Sequence, residues 1–190
     1  MNKNWIIAIS IFFSLAFSGT EPVLDKEEAK QAYIYLNQIR AAPQRFTKEY
    51  PFLTDHKRMS SLTWNDTLAR VAERKALDMA TRNYFAHVDP EGFGINYYIN
   101  KEGYKLDTNW LRNPRANFFE SCNEGGLSGR EAISMLLIDN GVPTLGHRKH
   151  LLGIDSWSAT LYDVGIGFAR AGEGNLYKAY TCVLIAKHPK

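Results

Sequence analysis

Cysteine is almost absent from this chain, with two in 190 residues, Cys122 and Cys182. That allows one intrachain bridge at most. In an oxidising compartment the pair reads as a disulfide candidate, tying a mid-chain segment to the last strand. The alternative is two buried thiols in a packed core. A catalytic cysteine is disfavoured, because nothing near Cys122 in sequence supplies a base. An excess of one charge is missing as well. The 23 Lys and Arg against 20 Asp and Glu leave a net +3, scattered rather than clustered, which argues against a nucleic-acid partner. Apolar residues are not scarce: at 45% of the chain they suit one domain with a sizeable core and exclude a disordered protein.

Long apolar runs are few. The one at the N-terminus, Trp5 to Phe17, follows a single positive side chain, Lys3, and is too short for a comfortable membrane span. Ala16-Phe17-Ser18 offers small residues where a signal peptidase reads them. We therefore expect a signal peptide over residues 1–18, cleaved after Ser18, in preference to an uncleaved anchor. No cysteine lies near that position, which disfavours a lipid anchor. No later segment is apolar and long enough to span a bilayer, so the mature chain is expected to be soluble and secreted or periplasmic. Oligomeric state is not legible.

Several chemical signatures are also lacking. There is no G-x-S-x-G elbow and no Walker loop. His147 and His150 form H-x-x-H, without the spacing and glutamate of the H-E-x-x-H metalloprotease helix, so His150 reads as structural or surface. Gly165 and Gly167 in V-G-I-G-F are followed by no helix pattern and fit backbone packing within a strand. No internal repeat or low-complexity segment appears.

What is present centres on residues 131–153, EAISMLLIDNGVPTLGHRKHLLG. Ser128 stands three residues before Glu131, the capping-box spacing. Ala132, Met135 and Leu136 form an apolar stripe whose next member is Asp139. A carboxylate facing inward needs a partner. Gly141 and Pro143 are expected to stop the helix, and the loop after it delivers His147 and His150.

Upstream, residues 19–24 read as a mobile lead-in to one domain over residues 25–190. Asp25 caps a helix over about 26–41 with Ala29, Ala32, Tyr33, Leu36 and Ile39 inward. Residues 44–60 are irregular surface loop. Residues after Asn65 form the most regular helix, with Leu68, Val71, Ala72, Ala76, Met79 and Ala80 on its buried side, and Asn83-Tyr84 at its end. His87 follows in F-A-H-V-D-P-E-G, at a loop edge where site residues commonly sit. Residues 95–102 read as a short helix. Residues 117–122 begin a strand in which Phe118 and Glu120 share a face, placing an acid among aromatics. Residues 163–169 and 176–187 read as a hairpin, the second strand covered on both faces. Helices first and an antiparallel sheet late argue an α+β fold with helices sandwiching the sheet.

Four polar residues fall inward or at a loop mouth: His87, Glu120, Asp139 and His147. Two imidazoles and two carboxylates suit a divalent metal of the zinc type, or equally a metal-free hydrogen-bonded cluster at the base of a cleft. Dispersed spacing alone leaves a shared site and four separate roles both open.

The order of motifs resembles the CAP superfamily of cysteine-rich secretory proteins, antigen 5 and pathogenesis-related proteins, in its bacterial SCP-like branch. The resemblance rests on Leu36-Asn37 and Arg40, on L-T-W-N-D-T-L-A-R-V-A, on F-A-H-V-D-P-E-G, on L-I-D-N-G-V-P-T-L-G-H-R-K-H-L-L and on V-G-I-G-F. It implies a three-layer α-β-α sandwich with a mainly antiparallel central sheet, and a cleft holding two histidines and two acids, in some members around a divalent cation. Matched motif by motif, these are His87, Glu120, Asp139 and His147, with His87 and His147 as metal ligands, joined or not by Glu120 and Asp139. The surroundings of Glu120, F-F-E-S-C, depart from the family's G-E-N, and Asp139 is shorter than the glutamate of many eukaryotic members. Three functions remain in view. The first is a non-enzymatic binding module for a small extracellular ligand, lipid or sterol-like. The second is a metal-dependent, peptidase-like hydrolase with Glu120 or Asp139 as base. The third is a host- or surface-interaction protein with a vestigial cleft.

Overall fold

The computed structural model describes residues 20–189, so the expected signal peptide over residues 1–18 lies outside the described residues. The chain forms β1 (Val23–Leu24), α1 (Lys26–Ala41), β2 (Thr63–Trp64), α2 (Asp66–Arg82), α3 (Ile95–Lys101), β3 (Glu120–Glu124), α4 (Gly129–Ile138), α5 (Gly146–Leu152), β4 (Asp163–Arg170) and β5 (Ala179–Ala186). The sheet runs β1-β4-β5-β3, with β2 pairing β4 in parallel. The other three pairings are antiparallel. Helices cover both faces, giving an α-β-α sandwich in which α2 packs on β4 and β5, while α1 and α4 pack on each other and on β4 and β3.

Caps set the helix starts. The Asp25 carboxylate accepts from the Glu28 amide, and the Asn65 side chain accepts from the amides of Thr67 and Leu68, each satisfying donors that have no partner within the helix. Along β4 the side chains alternate, so Gly165 and Gly167 share the face opposite Val164, Ile166 and Phe168. A Cβ on Gly165 would lie 2.2 Å from the Ala69 amide nitrogen, and one on Gly167 would lie 2.3 Å from the Ala72 carbonyl. These glycines let α2 sit directly on the sheet, which is the strand packing expected of V-G-I-G-F.

Several elements differ from expectation. Val23 and Leu24, expected in a mobile lead-in, pair with Arg170 and Ala169. In α1 it is Tyr35, not Tyr33, that is fully buried, because its hydroxyl reaches Glu49 and Tyr50. The strand expected from residue 117 begins at Glu120, since the Asn117 side chain holds the Glu120 amide and turns the chain before it. Residues 146–152, expected as loop, form α5. Helix α4 stops at Ile138, before Gly141, and Met135 is 41% exposed rather than core.

Candidate functional site

Asp139 is not the next inward residue of a continuing helix. It is the C-cap of α4, with φ 55° in the left-handed region, a conformation that Asp tolerates better than most residues. The turn buries its carboxylate and aims it at α5. Asp139 Oδ1 accepts from His147 Nδ1 at 2.7 Å, and Oδ2 accepts from the Arg148 amide at 3.2 Å. The Arg148 side chain donates to the carbonyls of Leu137 and Ile138, satisfying the end of α4 and locking α5 against it. From the other side, Arg40 donates to the Leu151 carbonyl.

His87 is presented differently. Lys75, buried on α2, donates to the Ala86 carbonyl at 2.7 Å and to the Tyr84 hydroxyl at 3.2 Å. Two residues beyond His87, the buried Asp89 accepts from the Phe93 amide and the Tyr98 hydroxyl. The loop is thus pinned on both sides of the imidazole. His87 Nδ1 lies 2.7 Å from Glu120 Oε2, the His87 side chain being 45% exposed and that of Glu120 fully buried. An ionised carboxylate only accepts, so Nδ1 carries the proton in this pair, as it does in the His147–Asp139 pair.

The two pairs face each other, with the His87 and His147 rings 6.3 Å apart. The structure therefore brings His87, Glu120, Asp139 and His147 to one place. Two adjoining hollows share the histidines. One, of about 400 Å³, runs past Phe118, Val142 and Trp157. The other, of about 520 Å³, runs past Phe85, Cys122, Met135 and Ile138. The polar centre is flanked on both sides by apolar side chains, several of them exposed: Phe118 47%, Met135 41% and Ile138 50%. A further hollow of about 370 Å³ lies by α2 and α3, but its charged side chains already have partners: Arg82 pairs with Asp78 and Glu91, Arg74 with Glu102, Lys75 donates to the Ala86 carbonyl, and Asp89 accepts from the Tyr98 hydroxyl.

Cys122 and Cys182 stand directly opposite on β3 and β5, both buried and both free thiols. Of the two alternatives for this pair, the structure holds the buried thiols and no disulfide; the two sulfurs contact each other, and each also reaches the acid–imidazole group. Cys182 Sγ donates to Glu120 Oε1 at 3.6 Å. Cys122 contacts His87, and the Cys122 sulfur together with the Glu120 carboxylate holds the His87 imidazole up to about 10. Burial pushes both thiols above their usual range. His87, Glu120 and Cys122 offer ligand atoms that all lie within 4.8 Å of one another, a group that could hold a metal ion.

The sequence reading missed the part played by Cys122, because its neighbour His87 arrives from another element. It also missed Ser121, the partner of His150, a histidine it read as structural or surface and that the structure buries. Ser121 Oγ lies 2.7 Å from His150 Nδ1, and His150 Nε2 lies 3.4 Å from the Ile185 carbonyl. A carbonyl only accepts, so Nε2 carries the proton and Nδ1 accepts from the serine hydroxyl. Burial lowers His150 to about 4. His150 is a neutral link from α5 into the sheet. The i+3 offset from His147 in a helix signals that the two share a side, though reading residues 146–152 as loop concealed it.

A family model described as the cysteine-rich secretory protein family, CAP, matches residues 33–184. The chain belongs to this family. Among solved structures, an extracellular protein containing an SCP domain from Bacillus anthracis is similar at 20% identity and TM-score 0.53, the match covering 86% of this chain and 41% of that one. An outer surface protein from Borrelia burgdorferi is similar at 15% identity and TM-score 0.58, covering 88% of this chain and 98% of that one. The chain thus spans about two-fifths of the Bacillus protein, and likenesses at these identities show the CAP fold. No curated protein matches. Among the described residues, no helix is long and apolar enough to cross a membrane.

Proposed function

We propose that this CAP protein is an exported, non-enzymatic binding module, one domain over residues 25–190, that takes a small amphiphilic ligand, lipid or sterol-like, in the cleft between His87 and His147. The observation that carries the reading is the composition of the cleft: a compact centre of two imidazole–carboxylate pairs continued on both sides by exposed apolar side chains. A polar head meets the imidazoles, and an apolar tail covers Phe118 and Trp157 or Met135 and Ile138. Burying one such side chain against a ligand contributes about 1.5–3 kcal/mol. Export is supported by the apolar N-terminal run and by the likeness to an extracellular Bacillus protein and an outer surface protein of Borrelia.

A divalent ion of the zinc type fits the donor set. Each imidazole gives Nδ1–H to a buried carboxylate, the arrangement that orients metal-binding histidines. His87 and His147 would hold the ion, with Glu120 and Asp139 as further ligands or as orienting groups. The ion would supply a Lewis-acidic contact for the ligand's head. The hydrolase reading is less favoured, because both carboxylates are buried and already committed to an imidazole.

The test is a titration of mature protein with a fluorescent long-chain fatty acid, beside assays for peptide and ester turnover with and without chelator. Saturable binding, a raised melting temperature and no turnover are expected. Phe118→Asp should weaken binding about tenfold or more while leaving the fold intact. Turnover abolished by chelator and by Glu120→Gln would establish the hydrolase instead. Neither binding nor turnover would leave the cleft vestigial.

A further inference from the structure

The metal reading of the cleft assigns the ion to the two histidines, but the tightest group of donor atoms in the site is another one. His87, Glu120 and Cys122 bring a nitrogen, an oxygen and a sulfur within 4.8 Å of one another. Bonds of about 2.0–2.3 Å from one zinc-type ion place ligand atoms roughly 3.3–3.8 Å apart. Closing on an ion therefore needs a shift on the order of 1 Å. His87 can supply that shift, since its side chain is 45% exposed and belongs to a loop, whereas Glu120 and Cys122 are fixed in β3. Cys122 also lines the wall of the 520 Å³ hollow together with His87 and His147, so an ion entering from solvent meets the sulfur and both imidazoles.

We propose that Cys122 is a thiolate ligand of this site, making it a three-residue, sulfur-containing centre of His87, Glu120 and Cys122 that selects thiophilic ions. This deepens the metal reading above and rests on it. Thiolate favours zinc, cobalt(II) or cadmium, whereas calcium, magnesium and manganese prefer sites built wholly from oxygen. On binding, the Cys122 S–H bond breaks and a sulfur–metal bond forms, the His87 imidazolium gives up one N–H so that a ring nitrogen is free to ligate, and both protons leave to solvent. One thiolate and one carboxylate together match the charge of a dication. Three protein ligands leave a position open toward the cleft, where His147 or a ligand's polar head completes the shell. Cys182 stays a thiol behind the centre, donating to Glu120.

The experiment is a cobalt(II) titration of reduced, metal-free mature protein. A thiolate-to-cobalt charge-transfer band in the near ultraviolet should rise to one equivalent. Cys122→Ser should lose the band and bind zinc at least about tenfold more weakly in competition with a chromophoric chelator, and Cys182→Ser should retain it. Zinc should shield Cys122 from alkylation in the wild-type protein, a readout that does not depend on any variant folding. Cobalt bound without the band, with Cys122 alkylated as readily as before, overturns the thiolate assignment while leaving a histidine-held ion intact. No bound ion at all overturns both, and fatty-acid binding then decides whether the cleft functions without metal.

Discussion

At the residue scale, His150 gives the sharpest pH signature. Its folded value, lowered to about 4, lies below the ordinary histidine value near 6.5. Between those values the unfolded chain binds the extra proton and the native protein does not. The stabilisation is full above about pH 6.5 and is lost as the pH falls toward 4, on the order of 3 kcal/mol across the window. His150→Gln should flatten that part of the stability curve, as measured by denaturant melts from pH 7 to 4. Ser121→Ala leaves His150 Nδ1 without its donor and should cost about 1–3 kcal/mol. The two pairs that form the cleft were suggested in the sequence by motif resemblance and by the inward placement of acids. Cys122 and Ser121 were not, because what defines each is a contact with a distant segment, His87 for one and His150 for the other.

At the scale of elements, helices with strong periodicity were legible to within a residue or two, α1 and α2 above all. The failures have physical causes. Helix α4 ends at Asp139 because a left-handed cap there, backed by Arg148, satisfies its carbonyls sooner than Gly141 could. Asp139→Ala should therefore cost about 1–2 kcal/mol more than Asp139→Asn, since alanine adds left-handed strain to the lost hydrogen bonds. Thermal melts of the two variants check this. On β4, Gly167→Ala forces a methyl onto the backbone of α2. It should destabilise by at least about 1–3 kcal/mol, and an unchanged melting temperature would contradict the close contact between helix and sheet.

Across the whole molecule, the fold could be read because α+β order, the late hairpin and the motif series all point to one architecture. The motif series named the four cleft residues but not how they pair, because they come from a pinned loop, a strand, a helix cap and a seven-residue helix. Their meeting depends on Lys75, Arg40 and Arg148, each holding a segment by its backbone carbonyls. The central claim is that a ligand enters between His87 and His147. The five histidines make it directly measurable by imidazole nitrogen–proton NMR during titration with a long-chain fatty acid. The His87 and His147 resonances should move together and saturate at one equivalent, while those of His56 and His188 stay in place. Saturable binding that leaves both cleft imidazoles unmoved, or that shifts His56 or His188 instead, would contradict the account.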